Sequence, residues 1–122
     1  MQLLFSSSEE FGYTKGLDLI GGKVKKFKKK SKFFKIPHVG WNNLIKINHK
    51  FIPEYVINDK YYFTHSFYCS PKDKKVIHTN TSYFGKSFCS SLVKKNIIGT
   101  QFHPEKSGKS GLEIIKKLKN IL

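Results

Sequence analysis

A chain of 122 residues with 39% apolar and 15% aromatic side chains is long enough for one small folded domain and too apolar for disorder. Its formal charge is +15, yet all 23 basic residues are lysine. The absence of arginine argues against base-edge reading and bidentate phosphate clamping, which depend on the guanidinium fork, and leaves only non-specific lysine–phosphate attraction.

No apolar run approaches the roughly eighteen residues of a membrane span, and Met1–Phe5 lacks the basic region and cleavage site of a signal peptide. Two cysteines, Cys69 and Cys89, give no disulfide framework, so a reducing, cytoplasmic setting is expected.

In chain order, residues 1–10 read as a short helix that ends in Ser6-Ser7-Ser8-Glu9-Glu10, with loops at Gly12 and Gly16. Lys23 to Phe27 reads as a strand after the Gly21-Gly22 turn, and Lys28 to Lys32 as a solvated loop. Pro37-His38-Val39-Gly40-Trp41-Asn42 reads as a loop bracketed by proline and glycine. Tyr61 to Cys69 is the strongest strand, and Pro71-Lys72-Asp73 is a turn. Val76 to Thr81 and Ser87 to Leu92 form a hairpin around Gly85, and Ile97 to Phe102 is a buried strand. From about Gly111 to Leu122 an amphipathic helix places Leu112, Ile115, Leu118 and Leu122 on one face, opposite Lys116, Lys117 and Lys119. The whole is one unit, without repeat or linker.

The informative segment is Gly99-Thr100-Gln101-Phe102-His103-Pro104-Glu105-Lys106-Ser107. Pro104 pushes His103 toward an extended backbone, where side chains two apart share a face. The carboxylate of Glu105 can then reach one imidazole nitrogen of His103 and leave the other for a nucleophile. That is the base-plus-orienter half of a catalytic triad, and histidine suits it because its ordinary pKa lies near working pH. Alone, His-x-Glu would more often be a surface pair.

Phe102-His103-Pro104-Glu105 after a buried strand resembles the C-terminal triad motif of class I glutamine amidotransferases. Met1-Gln2-Leu3-Leu4-Phe5, Ser7-Ser8-Glu9-Glu10, Gly16-Leu17-Asp18-Leu19-Ile20 with Gly22-Lys23-Val24, Pro37 to Asn42, and Tyr61-Tyr62-Phe63-Thr64-His65-Ser66-Phe67 resemble, in order, the branch that serves imidazole glycerol phosphate synthase. The resemblance implies an α/β fold, a truncated three-layer flavodoxin-like domain with a mainly parallel sheet, and residues 1–122 as part of the family's domain. It implies glutamine hydrolysis through a glutamyl thioester, no metal or organic cofactor, and a (β/α)₈ cyclase/synthase partner that takes the ammonia in a heterodimer.

Residue by residue, His103 matches the general base and Glu105 its orienting carboxylate. Gln2 and Glu10 match positions at the bound glutamine. His65, Ser66 and Phe67 match the segment that holds the substrate carboxylate, with Phe67 where tyrosine is common. Lys106, Trp41 and Asn42 match the partner interface. The family's nucleophile turn, Gly-x-Cys-x-Gly, has no counterpart here, and neither Cys69 nor Cys89 has flanking glycines. The chain is therefore expected to begin just past that turn, and on its own to be poorly stable and without glutaminase activity.

A paralogous subunit for nucleotide-sugar amidation in surface-polysaccharide synthesis fits the same motifs. From other classes, a basic non-specific nucleic-acid module stands on charge alone. A zinc site built from His65, Cys69, His78, Cys89 and His103 is disfavoured. His65 and Cys69 would sit roughly 13 Å apart along one strand, too far to share an ion.

Overall fold

A computed structural model describes residues 1–46, 48 and 52–121. Among these the strands are β1 (Phe5–Ser8), β2 (Thr14–Lys15), β3 (Ile20–Lys26), β4 (His38–Asn43) and β5 (Ile45–Lys46). Helix α1 (Glu54–Ile57) precedes β6 (Lys60–His65), β7 (Phe67–Pro71), β8 (Ile77–Tyr83), β9 (Lys86–Lys94) and β10 (Ile97–Thr100). Helix α2 (Gly108–Ile121) follows. No helix among the described residues is long and apolar enough to cross a membrane.

The fold is mixed α/β. The larger sheet runs β2-β1-β3-β7-β9-β8-β5, with β10 beside β9, and β4 and β6 form a second, two-stranded sheet. Only β1 with β3 is parallel; the other pairings among the described residues are antiparallel. The mainly parallel sheet expected of the family is therefore not what these strands build.

Alternation explains the strands. On β3, Ile20, Gly22 and Val24 are buried while Gly21 and Lys23 are exposed. A Cβ on Gly22 would lie 2.4 Å from the Ser70 carbonyl oxygen, so only glycine lets β3 lie this close to β7. Strand β9 divides the core. Phe88 faces an aromatic cluster with Phe27, Phe34, Tyr61, Phe63, Phe102 and Ile114. Cys89, pointing the other way, joins Phe5, Ile20, Val24, Cys69 and Leu92.

Four sequence expectations are corrected. Residues 1–10 are not a helix: a single 3₁₀ turn over Gln2–Leu4 leads into β1, whose residues alternate buried and half-buried. Serine-rich sequence is a weak helix former, and pairing with β3 decides the outcome. Pro37 to Asn42 is not a loop but mostly β4, matched residue for residue with β6 from His38↔His65 to Asn43↔Lys60. The strand expected over Tyr61 to Cys69 is two strands, broken at Ser66, where the chain leaves the β4 sheet for the β3 sheet. Helix α2 starts at Gly108 and buries Gly111 and Ile114, whereas Leu112 and Ile115 are exposed and Leu118 is half-buried. The rotation follows from Gly111: a Cβ there would meet the Pro104 carbonyl oxygen at 1.9 Å, so this face lies against the Pro104 turn. Leu122, assigned to the same helix face, lies outside the described residues.

Candidate active site

Strand β10 delivers the chain to buried Phe102 and then to His103, whose backbone is extended (φ −98°, ψ 95°) as the following proline requires. The His103 N–H donates to the Tyr62 carbonyl of β6 at 2.9 Å. The Ser107 hydroxyl donates to the His103 carbonyl at 2.6 Å and accepts from the Tyr62 N–H at 3.0 Å. His103 is thus fixed on both sides of its Cα before its side chain makes any contact.

The His103 Nδ1 and Glu105 Oε1 are 2.8 Å apart, both side chains being partly exposed. A carboxylate accepts, so Nδ1 carries the proton and Nε2 is the nitrogen turned to other business. Desolvation pulls the Glu105 carboxyl upward, but its own backbone N–H, the His103 imidazole and the Lys106 charge outweigh it and hold it below the usual range. It is an ionised acceptor at neutral pH, as an orienting group must be.

The first residues of the chain reach this place. Gln2 Nε2 donates to the Gln101 Oε1 at 3.1 Å and to the Phe67 carbonyl at 3.0 Å. Gln101, in turn, sits two positions before His103. The Phe67 carbonyl also accepts from His65 Nδ1 at 2.7 Å, and His65 Nε2 lies 2.9 Å from His38 Nδ1. Both ring nitrogens of His65 are engaged inside the protein, and the residue is buried. Burial holds His65 down to about 4, with its Phe67 hydrogen bond opposing and nearby His103 adding; burial and then His65 hold His38 to about 4. Both are neutral at pH 7. Ser66, at the break between β6 and β7, accepts the Phe27 N–H on its carbonyl at 3.1 Å.

Glu10 is exposed in the turn after β1, and with Gln2, Ser7 and Ser8 it borders a cavity of about 290 Å³. His103 and Glu105 do not line that cavity. Trp41 is exposed on β4, and its ring meets Tyr62 edge-on at 5.9 Å between centroids; Lys106 Nζ lies 5.9 Å from the Tyr62 ring. Asn42 donates to the Ser82 carbonyl at 2.9 Å. Trp41, Tyr62, Lys106 and His103 therefore share one surface. Tyr62, Ser107, Gln101 and His38 all lie inside the motifs of the sequence, but nothing local assigns them a part; their contacts come from pairing across the fold.

The two cysteines are directly opposite one another on β7 and β9 and are buried. Burial raises both thiols, Cys89 to about 12 and Cys69 further. Neither is poised as a thiolate. Among the described residues no group of three or more His, Cys, Asp or Glu side chains is placed to hold a metal ion.

The mixed α/β fold agrees with the comparisons. The chain is 43% identical to Imidazole glycerol phosphate synthase subunit HisH of Chlorobaculum tepidum over 95% of its own length and 57% of that protein. It is 47% identical to the subunit of the same name from Methanosarcina barkeri over 94% of this chain and 56% of the other. For the Pelagibacter ubique subunit the values are 43%, 99% and 58%. The chain thus spans a little under three fifths of these relatives. The family model of Glutamine amidotransferase class-I matches residues 1–120, nearly the whole chain, and the chain belongs to that family.

Proposed function

We propose that this chain supplies the base side and part of the glutamine pocket of a cytoplasmic glutaminase that passes ammonia to a (β/α)₈ imidazole glycerol phosphate synthase subunit in histidine biosynthesis. The observation that carries the reading is the 2.8 Å contact between His103 Nδ1 and Glu105, at a strand exit reached by Gln2 through Gln101. The names of the relatives favour this acceptor over nucleotide-sugar amidation and over nucleic-acid binding.

In this scheme His103 Nε2 takes the proton of a cysteine thiol, and the thiolate attacks the side-chain carbonyl of glutamine. The C–N bond breaks, and the leaving nitrogen takes its proton from Nε2 of His103 while Glu105 stabilises the imidazolium. A water then gives its proton to His103, attacks the thioester and frees glutamate. The raised, buried thiols of Cys69 and Cys89 are unsuited to the first step. The sulfur is therefore assigned to the part of the relatives' length that these residues do not cover.

Gln2 and Glu10 fit the substrate ammonium. Both hydrogens of the Gln2 amide nitrogen are already spent on Phe67 and Gln101, so its oxygen is the end free to accept. Glu10 borders the same cavity and adds negative charge. Ser66 and Phe67 hold the substrate carboxylate through backbone groups and the Ser66 hydroxyl. His65 acts from behind through the Phe67 carbonyl rather than on the substrate itself. The face with Trp41 and Lys106 docks the synthase and places ammonia release beside it, with Asn42 at its edge turned back to His38 and Ser82.

Glutamate release tests the reading. The full-length protein assembled with its synthase should hydrolyse glutamine, and His103→Ala should abolish turnover. The 122 residues alone should give no glutamate above a buffer blank. Undiminished turnover in His103→Ala would refute the assignment.

A further inference from the structure

A run of hydrogen bonds behind the pocket has a direction that can be worked out donor by donor. The Phe67 carbonyl can only accept, so His65 Nδ1 carries its proton. His65 is neutral, so its Nε2 must accept, and the donor 2.9 Å away is His38 Nδ1. His38 is neutral in turn, and its Nε2 faces the Asn42 Nδ2 at 3.4 Å. That amide cannot be flipped, because its Oδ1 accepts from the Asn43 N–H at 2.8 Å and its Nδ2 also donates to the Ser82 carbonyl. Every proton therefore points one way, from Asn42 through His38 and His65 to the Phe67 oxygen.

The same oxygen receives Gln2, whose second amide hydrogen goes to Gln101 Oε1. A glutamine amide has two ends of opposite polarity, and rotation by half a turn about its last bond exchanges them. The Phe67 carbonyl can only accept, so it turns the nitrogen end of Gln2 toward itself, and Gln101 Oε1 takes the second hydrogen.

We propose that Gln101 and His38 are positioning residues that lock the Gln2 amide with its oxygen toward the substrate, Gln101 directly and His38 through His65 and the Phe67 carbonyl. This rests on the glutaminase reading above. It gives the two residues distinct duties. Gln101 accepts the second amide hydrogen and so secures the orientation that the Phe67 carbonyl sets. His38 supplies the donor that forces the His65 proton onto Nδ1; with the other tautomer the Phe67 carbonyl would face a lone pair, and the strand break at Ser66 would have to shift. The aromatic packing of His38 suits a residue whose tautomer must stay fixed: its ring stacks on Tyr83 and Phe63 with centroids at 4.0 Å and 4.9 Å.

The test compares two substitutions of similar shape in the full-length, partner-bound protein. Gln101→Met keeps length and removes the acceptor; Gln101→Glu keeps an acceptor. If orientation is what matters, Gln101→Met raises the glutamine KM by about tenfold, the equivalent of one hydrogen bond's discrimination, while kcat stays within about threefold, and Gln101→Glu returns KM to near its original value. Imidazole ¹⁵N spectra of the unsubstituted protein at pH 7 should show His38 and His65 neutral and protonated on Nδ1. An unchanged KM in Gln101→Met, an equal rise in both variants, or an Nε2 proton on either histidine overturns the proposal. No glutamine turnover by the unsubstituted protein would instead refute the glutaminase reading, and the spectra would still decide the donor order.

Discussion

Lowering the pH from 7.5 to 5 should destabilise this fold through two buried imidazoles. His38 and His65 are buried and held near 4, against an ordinary value of 6.5. The unfolded chain takes up a proton on each as the pH drops below 6.5, whereas the folded chain takes none until about 4. Stability is therefore intact above 6.5 and lost progressively between 6.5 and 4. At pH 5 an unfolded imidazole is almost fully protonated and a folded one hardly at all, a gap of about 1.5 pH units below 6.5. At about 1.4 kcal/mol per unit, each histidine removes about 2 kcal/mol and the pair about 4 kcal/mol. That is a large part of the stability of a small domain. Urea unfolding of the full-length protein, followed by tryptophan fluorescence of Trp41 and by circular dichroism, reads it out. With a slope of about 1–3 kcal/mol per molar urea, the midpoint should fall by at least about 1.3 M between pH 7.5 and 5. A His38→Phe/His65→Phe double variant, less stable at pH 7.5, should show far less dependence on pH over the same range. A midpoint independent of pH in the unsubstituted protein would mean that these rings are solvated or already charged, and the proton order proposed for them would fall with it.

Glu105→Gln should keep the fold and lower glutamine turnover by roughly a hundredfold or more in a steady-state assay, because an amide can hold His103 in the wrong tautomer and cannot stabilise its cation. Ile114→Ala, at 1% exposure, should cost about 2–5 kcal/mol in urea unfolding, while Leu112→Ala on the same helix should change stability by less than about 0.5 kcal/mol. Gly111→Ala should destabilise by about 1–3 kcal/mol and also lower turnover, since its new Cβ would push on the Pro104 carbonyl beside His103. Cys69 and Cys89 should react with a maleimide far more slowly in native protein at pH 8 than in urea, as buried thiols with raised pKa values do.

The parts of the molecule legible in its sequence are those whose causes are local. His103 and Glu105 meet because a proline holds the first extended and the second is two residues on, so sequence spacing suffices. The β8–β9 hairpin is equally local, with Tyr83↔Lys86 closing it around Gly85. What sequence patterning misread depends on distant partners. Strand β4 carries proline and glycine signals of a loop, yet it forms because β6 lies opposite along its whole length. Strand β1 looks like a helix end until β3 is laid beside it. In α2 the leucines mark one face and a glycine marks another, and the glycine prevails because close approach to Pro104 tolerates no side chain.

The same division runs through the site. The chemistry proposed for it, a base with its orienter, is written within three consecutive residues. Its geometry is not: the Gln2–Gln101 bond joins residues 99 apart, and the His38–His65 bond residues 27 apart. A motif can identify the reacting groups because their chemistry fixes residue type. It cannot reveal which end of an amide faces a substrate, because that depends on how many acceptors the fold places around the other end. Gln101 and His38 illustrate this. Neither touches the inferred reacting atoms, and both stood inside quoted motifs without a role. Pairing β4 with β6 and bringing the chain's first turn to β10 makes the contacts on which their proposed positioning role rests, a pocket polarity set from the interior outward.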